Sequence, residues 1–241
     1  MRVLELFSGT GSVGKICNEL GWECISVDKE FNATWEVDIL EWDYKVYPKD
    51  HFDFIWASPP CNTFSQLQYS WIGRKLKDGT MVSSQTILDK QEKEGVPLVN
   101  KTLEIIDYFQ PRFFCIENPS TSRIKAYIPY PSYVVDYCAY VDWGYKKRTR
   151  LFTNIKTFEP KLCNPLTCKS MDTIFQHDKL IGSKRHKKVC DGGYDKRKHR
   201  KVSMGSSGSS LVCPQYTSKV DRYRIPPELI RDIFTCFLFE I

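Results

Sequence analysis

The 241-residue chain contains no apolar run that approaches membrane-spanning length, so no helical span is expected to organise it. Its amino end passes from Met1 straight into a strand pattern, so neither a signal peptide nor a membrane anchor is expected. Acidic side chains are scarce in the second half: residues 121–241 hold 11 of them against 23 basic ones (net +12), whereas residues 1–120 hold 18 against 12 (net −6). That asymmetry, hidden in an overall charge of +6, excludes an evenly charged surface and suits a polyanion that docks on one side only. Cysteine, by contrast, is plentiful. Ten cysteines in a short secreted chain would indicate a disulfide scaffold, but in a chain of this size without a leader they are expected as reduced thiols of an intracellular protein. At 41% hydrophobic residues, the chain can bury one sizeable core and carry a small appendage.

What is present is organised around FDFIWASPPCNTFS, residues 52–65. Phe52, Phe54, Ile55, Trp56 and Ala57 form a short continuous apolar segment, the pattern of a parallel strand covered on both faces. Pro59 and Pro60 end it, because neither can donate to a ladder. Cys61 therefore falls just past the carboxyl end of a central strand, where open α/β sheets bind ligands. A buried structural cysteine is the plainer alternative, and the rigid Pro-Pro turn followed by Asn62, Thr63 and Ser65 argues against it.

Three other stretches converge on the same kind of edge. A strand from Val3 to Phe7 runs into Ser8-Gly9-Thr10-Gly11-Ser12-Val13-Gly14, formally G-x-G-x-x-G, and a helix through Leu20. Such a turn lets the backbone approach a ligand closely, and it serves nicotinamide, flavin and S-adenosylmethionine sites alike. A second strand, Glu23 to Val27, ends in Asp28, 17 residues past Gly11 and placed to accept hydrogen bonds from ribose hydroxyls. Asp38 follows and suits the next strand end, with a solvated loop residue or helix cap as the alternative. A third strand, Arg112 to Ile116, delivers Glu117-Asn118-Pro119, a carboxylate to set beside the thiol; Cys115 within it reads as core packing. Between Gln66 and Pro97 the chain reads as a long polar loop, with Arg74, Lys75 and Lys77, suited to a lid beside Cys61. Leu98, Leu103, Ile106 and Phe109 give a helix stopped by Pro111. Tyr133 to Tyr140 and Leu151 to Thr153 read as strands about a Gly144-Tyr145 turn, with Arg148 and Arg150 on one face.

Glu5-Leu6-Phe7-Ser8-Gly9-Thr10-Gly11, Asp28, Ser58-Pro59-Pro60-Cys61-Asn62-Thr63-Phe64-Ser65, Glu117-Asn118-Pro119 and Arg148-Thr149-Arg150 stand in an order that resembles DNA cytosine-5 methyltransferases, in particular the short enzymes of large DNA viruses and phages. The chain departs from the usual pattern at Gly11-Ser12, at Ser58 and Asn62 around the Pro-Cys pair, at Pro119 and at Lys146. The resemblance implies a doubly wound α/β sheet of the S-adenosylmethionine-dependent, Rossmann-like kind with a small basic appendage. It implies Cys61 as nucleophile, Glu117 supporting N3 of cytosine, and Asn118, Arg148 and Arg150 as further catalytic residues. It also implies cofactor contacts from Phe7, Ser8, Gly9, Gly11, Asp28, Lys29, Asp38, Ile39 and Pro59, with DNA as partner, no membrane, and an intracellular monomer, in the host nucleus or cytoplasm if the chain is viral. An amino-methyltransferase, which often carries Ser-Pro-Pro and then an aromatic residue, is the runner-up, and Cys61 in the aromatic position decides against it. A catalytically inert DNA-binding relative is the other.

The expected organisation is a catalytic core over 1–155, a reduced target-recognition region over 156–218 and a helix returning to the core over 219–241. Residues 183–201 hold nine Lys or Arg against two Asp, which suits phosphate contacts, and SMGSSGSS at 203–210 reads as a linker. Cys163, Cys168, His177, His186 and Cys190 would allow a zinc staple, but the Cys-x4-Cys spacing is loose and a second close pair is missing, so no metal site is assigned from sequence.

Overall fold

The computed structural model describes residues 1–30, 32–171, 177 and 218–239, and the backbone of residues 179–180, 194–195, 200–201 and 215–216. His186, Cys190, most of the basic run 183–201 and the stretch 203–210 lie outside the described residues. The strands β1 (Arg2–Leu6), β2 (Glu23–Asp28), β3 (Trp35–Glu36), β4 (Phe54–Ala57), β5 (Phe113–Pro119), β6 (Ser132–Asp136) and β7 (Arg148–Thr153) form one sheet in the order β3-β2-β1-β4-β5-β7-β6. The first five are mutually parallel, and β7 runs antiparallel to both of its neighbours. The helices are α1 (Ser12–Glu19), α2 (Ser84–Lys90), α3 (Val96–Phe109), α4 (Lys219–Tyr223) and α5 (Pro227–Phe239). No described helix is long and apolar enough to cross a membrane.

The apolar runs of β4 and β5 are continuous because both faces of the sheet are covered. Phe54, Trp56, Phe113 and Cys115 point to one side and pack with Val13 and Ile16 of α1 and Leu229, Ile233 and Phe237 of α5. Ile55, Ala57, Phe114 and Ile116 point to the other and meet Val99, Ile105, Ile106 and Phe109 of α3. This is the doubly wound α/β architecture that the family resemblance implied. The chain leaves β1 outward to β2 and β3, then returns to the other side of β1 as β4. Strand order reverses there, and a crevice opens at the carboxyl ends of β1 and β4.

Three expectations change. The strand expected from Tyr133 to Tyr140 ends at Asp136, and Tyr137–Ala139 form a 3-10 turn. The first strand stops at Leu6, because Phe7 takes a left-handed backbone (φ 57) and turns the chain toward Gly9. The region 66–97 is not one structureless loop. Gln66–Trp71 forms a 3-10 turn, and Lys75 and Met81 close a bridge. Ser83 then opens α2 through a capping box, its Oγ accepting from Thr86 N at 3.1 Å while Thr86 Oγ1 accepts from Ser83 N at 2.9 Å. Thr86 holds the third helical position, which hides the motif from a search for the commoner Glu or Gln. The helix widens into a π turn over Gln91–Gly95 and continues as α3.

Candidate active site

The crevice is a cleft of about 510 Å³ whose walls include Phe7, Gly9, Asp28, Lys29, Asp38, Ile39 and Cys61. Six of the nine expected cofactor residues thus line one space together with the expected nucleophile. Its volume lies within the range of small-molecule sites. Gly9 N donates to Asp28 Oδ2 at 2.9 Å and Glu30 N to Asp28 Oδ1 at 2.8 Å, so the carboxylate is held at the end of β2 with further lone pairs to offer. Asp38 divides its carboxylate: Oδ1 accepts from Leu40 N at 3.0 Å, capping the next turn, and Oδ2 stands 3.6 Å from Lys29 Nζ.

Ser8, Gly11 and Pro59 do not line the cleft; they shape it. Ser8 N donates to Val27 O at 3.2 Å and Ser8 O accepts from Gly11 N at 2.8 Å. Gly11 sits at φ 64 as the cap of α1, a left-handed position that glycine takes without strain. Pro59 O accepts from Asn118 Nδ2 at 2.8 Å. Ser12, where the resembling family has glycine, accepts from Ile225 N at 3.1 Å through Oγ and so ties the segment before α5 to the cofactor turn. Below the turn, Glu5 receives Val13 N at 3.1 Å and Gly14 N at 3.0 Å. Burial pushes the Glu5 carboxyl up to about 7, against the pull of those two amides.

Cys61 lies one turn beyond β4 and is half-buried. Burial raises its thiol above the usual range, the neighbouring charge of Glu117 adds to that, and Lys147 and Arg222 oppose it. Glu117 is buried near the end of β5, on the strand beside β4. Its Oε1 accepts from Tyr137 Oη at 2.9 Å and stands 3.3 Å from Lys147 Nζ. Lys147 also lies over the Tyr137 ring, 4.6 Å from its centroid, and donates to Arg222 O at 3.0 Å.

The structure assigns other partners to the remaining expected catalytic residues. Arg148 donates through Nε and Nη2 to the two oxygens of buried Asp136, both at 2.8 Å, and Lys146 stands 3.4 Å from the same carboxylate. Burial pushes the Asp136 carboxyl up, but Arg148, the Cys163 amide and Lys146 outweigh it and hold the group below its ordinary range. Arg150 donates to Ser132 Oγ at 2.9 Å. Asn118 clamps the Pro59 turn. The cation at Glu117 is therefore Lys147, a residue between the two stretches that the motif order marks, and no periodicity in the sequence distinguishes it. Val27, Glu30, Val37, Glu94, Leu98 and Tyr223 of the cleft wall are likewise invisible to the motifs. Val27 alone could have been read, as the last residue of a strand ending in an acid.

Gly95, in the π turn, brings α3 against the loop that follows Cys61. A Cβ there would lie 2.5 Å from Thr63 Oγ1 and 2.7 Å from Phe64 Cζ. Elsewhere, Cys163, Cys168 and His177 come together, joined by Cys138, which the sequence reading had not included among the candidate ligands.

A model of the C-5 cytosine-specific DNA methylases matches residues 1–121, the stretch that carries the cofactor turn, Cys61 and Glu117. A probable DNA (cytosine-5)-methyltransferase of Frog virus 3 (isolate Goorha) is 43% identical over 97% of this chain and 98% of its own. The methyltransferase EhMeth of Entamoeba histolytica superposes with a TM-score of 0.50 at 13% identity, over 100% of this chain and 98% of that one, and shares the fold. With half of its length matched by the family model and nearly all of it aligned to the viral relative, the chain belongs to the C-5 cytosine-specific DNA methylase family.

Proposed function

We propose that the protein transfers a methyl group from S-adenosylmethionine to carbon 5 of cytosine in DNA, acting as a monomer, with Cys61 as the nucleophile. The observation that carries this reading is that Cys61 and Asp28 line one cleft, with Glu117 on the next strand. Phe7, Val37 and Ile39 give the cleft apolar walls and Asp28 gives it an acceptor, a set that fits an adenosine with free ribose hydroxyls. When bound there, S-adenosylmethionine supplies an electrophilic methyl group.

The chain's own residues do the rest. A cytosine inside a stacked duplex cannot be reached, so it must be flipped out toward Cys61. Cys61 loses its thiol proton to solvent and its sulfur bonds carbon 6, while the Glu117 carboxylate takes up a proton as the base enters and donates it to N3, which takes up the displaced electron density. Carbon 5 becomes nucleophilic and takes the methyl as the methyl–sulfonium bond breaks, which would leave a neutral thioether. Loss of the carbon 5 proton to a base returns the electron pair to the ring and expels Cys61 as thiolate. Lys147 and Tyr137 hold Glu117 in place during these steps. Arg74, Lys75 and Lys77, with Leu67, Trp71 and Ile72, are exposed in the stretch that follows Cys61 in the chain, a basic and apolar set that suits DNA.

Duplex DNA containing 5-fluorocytosine tests the thiol route, since fluorine at carbon 5 blocks the final elimination. With cofactor present, a denaturant-resistant adduct should form, and Cys61→Ser should abolish both the adduct and methyl transfer while leaving cofactor affinity nearly unchanged. Substantial turnover by the serine variant would overturn the mechanism, and transfer to an exocyclic nitrogen would favour the amino-methyltransferase reading.

A further inference from the structure

Away from the cleft, Cys138, Cys163, Cys168 and His177 gather at the end of β6. Their ligand atoms all lie within 4.8 Å of one another. His177 Nε2 stands 3.3 Å from Cys138 Sγ, 3.7 Å from Cys163 Sγ and 3.6 Å from Cys168 Sγ. In a zinc tetrahedron, with Zn–S near 2.3 Å and Zn–N near 2.0–2.1 Å, neighbouring ligands stand about 3.5–3.8 Å apart. The side chains therefore already stand near the spacing of a metal site. All three cysteines are free rather than paired. Cys138 is buried and the other three ligands are half-buried.

The surroundings say what an ion would do. Described residues 154–171, which follow β7, contain no helix or main-sheet strand, and a segment of that size cannot build a core of its own. Several bonds fasten it: Asp136 N donates to Lys161 O at 3.0 Å and Lys161 N donates to Tyr140 Oη at 3.0 Å. Cys163 N donates to Asp136 Oδ2 at 3.0 Å, and Ser170 Oγ accepts from Gly144 N at 3.2 Å. Asp136 is the carboxylate that also anchors Arg148 and Lys146, so the Cys163 backbone and the Lys146–Arg150 stretch share one buried charge.

We propose that Cys138, Cys163, Cys168 and His177 bind one zinc ion, which clamps the segment after β7 to the end of β6 and so fixes the stretch that carries Lys147 to Glu117. Three thiolates and one imidazole close the tetrahedron and leave no open position, which makes the site structural rather than catalytic. The site stands on its ligand geometry alone and holds whatever reaction the cleft performs.

The test is metal analysis of the full-length protein, purified in reductant without chelator. About one zinc ion per chain is expected, and cobalt(II) exchange should give thiolate charge-transfer and tetrahedral ligand-field bands. Alkylation mapped by mass spectrometry should find Cys138, Cys163 and Cys168 protected until a chelator is added. These measurements use the wild-type chain and do not depend on any variant folding. Cys138→Ser and His177→Ala should each weaken zinc binding by more than about tenfold. Absence of metal from the wild-type chain, a non-tetrahedral cobalt spectrum, or loss of zinc in Cys190→Ser but not in Cys138→Ser would each overturn the assignment.

Discussion

Replacing Lys147 with methionine keeps its apolar stem and removes the cation 3.3 Å from Glu117. The two side chains are only 13% and 8% exposed, so the remaining carboxylate cannot recover its hydration. Removing one partner of such a pair costs about 3–5 kcal/mol, most of it the penalty of an uncompensated buried charge. The Tyr137 hydroxyl still donates to Oε1, which places the expected loss for Lys147→Met near the lower end, about 3 kcal/mol. Glu117→Gln keeps an acceptor for Tyr137 and removes the charge, and in that background the methionine should cost about 1 kcal/mol or less. Urea unfolding of the wild type, both single variants and the double variant closes the cycle, with an expected coupling of at least about 2 kcal/mol. A second measurement follows the alkylation rate of Cys61 against pH. Glu117 holds the thiol up and Lys147 holds it down, so Lys147→Met should move the titration to higher pH and Glu117→Gln to lower pH. Additive stability costs, or thiol titrations that do not move in opposite directions, would refute the reasoning.

Asp28→Ala should weaken S-adenosylmethionine binding by about 1.5–3 kcal/mol in calorimetry, and an unchanged dissociation constant would move the cofactor elsewhere. Gly95→Ala should push Thr63 and Phe64 away from α3, at a stability cost of about 1–3 kcal/mol. It should slow methyl transfer more than it weakens cofactor binding, and equal effects on both would show that the loop after Cys61 is not what moved. The Glu5 carboxyl is pushed up to about 7 in the fold against 4.5 unfolded. Its contribution to stability is therefore intact below about pH 4.5 and is lost as pH rises toward 7, by on the order of 3 kcal/mol. Glu5→Gln has no such titration, so the stability of the wild type relative to this variant should fall across that window; a pH-independent difference would contradict the assignment.

Residues 1–120 carried most of what the sequence by itself determined. The apolar run Phe54–Ala57 could only be a strand covered on both faces, and a proline pair could only end it, so the placement of Cys61 at a sheet edge was local chemistry. Gly9, Gly11 and Asp28 were legible for the same reason: a tight turn and a strand-end acid lie within a few residues of the elements that define them. Tertiary structure decided what depends on partners distant in the chain. Lys147 meets Glu117 across 30 residues, Ser12 meets Ile225 across 213, and Cys138 meets His177 across 39. No spacing rule encodes such pairs, because the antiparallel insertion of β7 between β5 and β6 and the return of α5 onto α1 create them. Charge identity followed the same division. The motif order marked Arg148 and Arg150, but these pair with Asp136 and Ser132, and Lys147, just before β7, stands at Glu117.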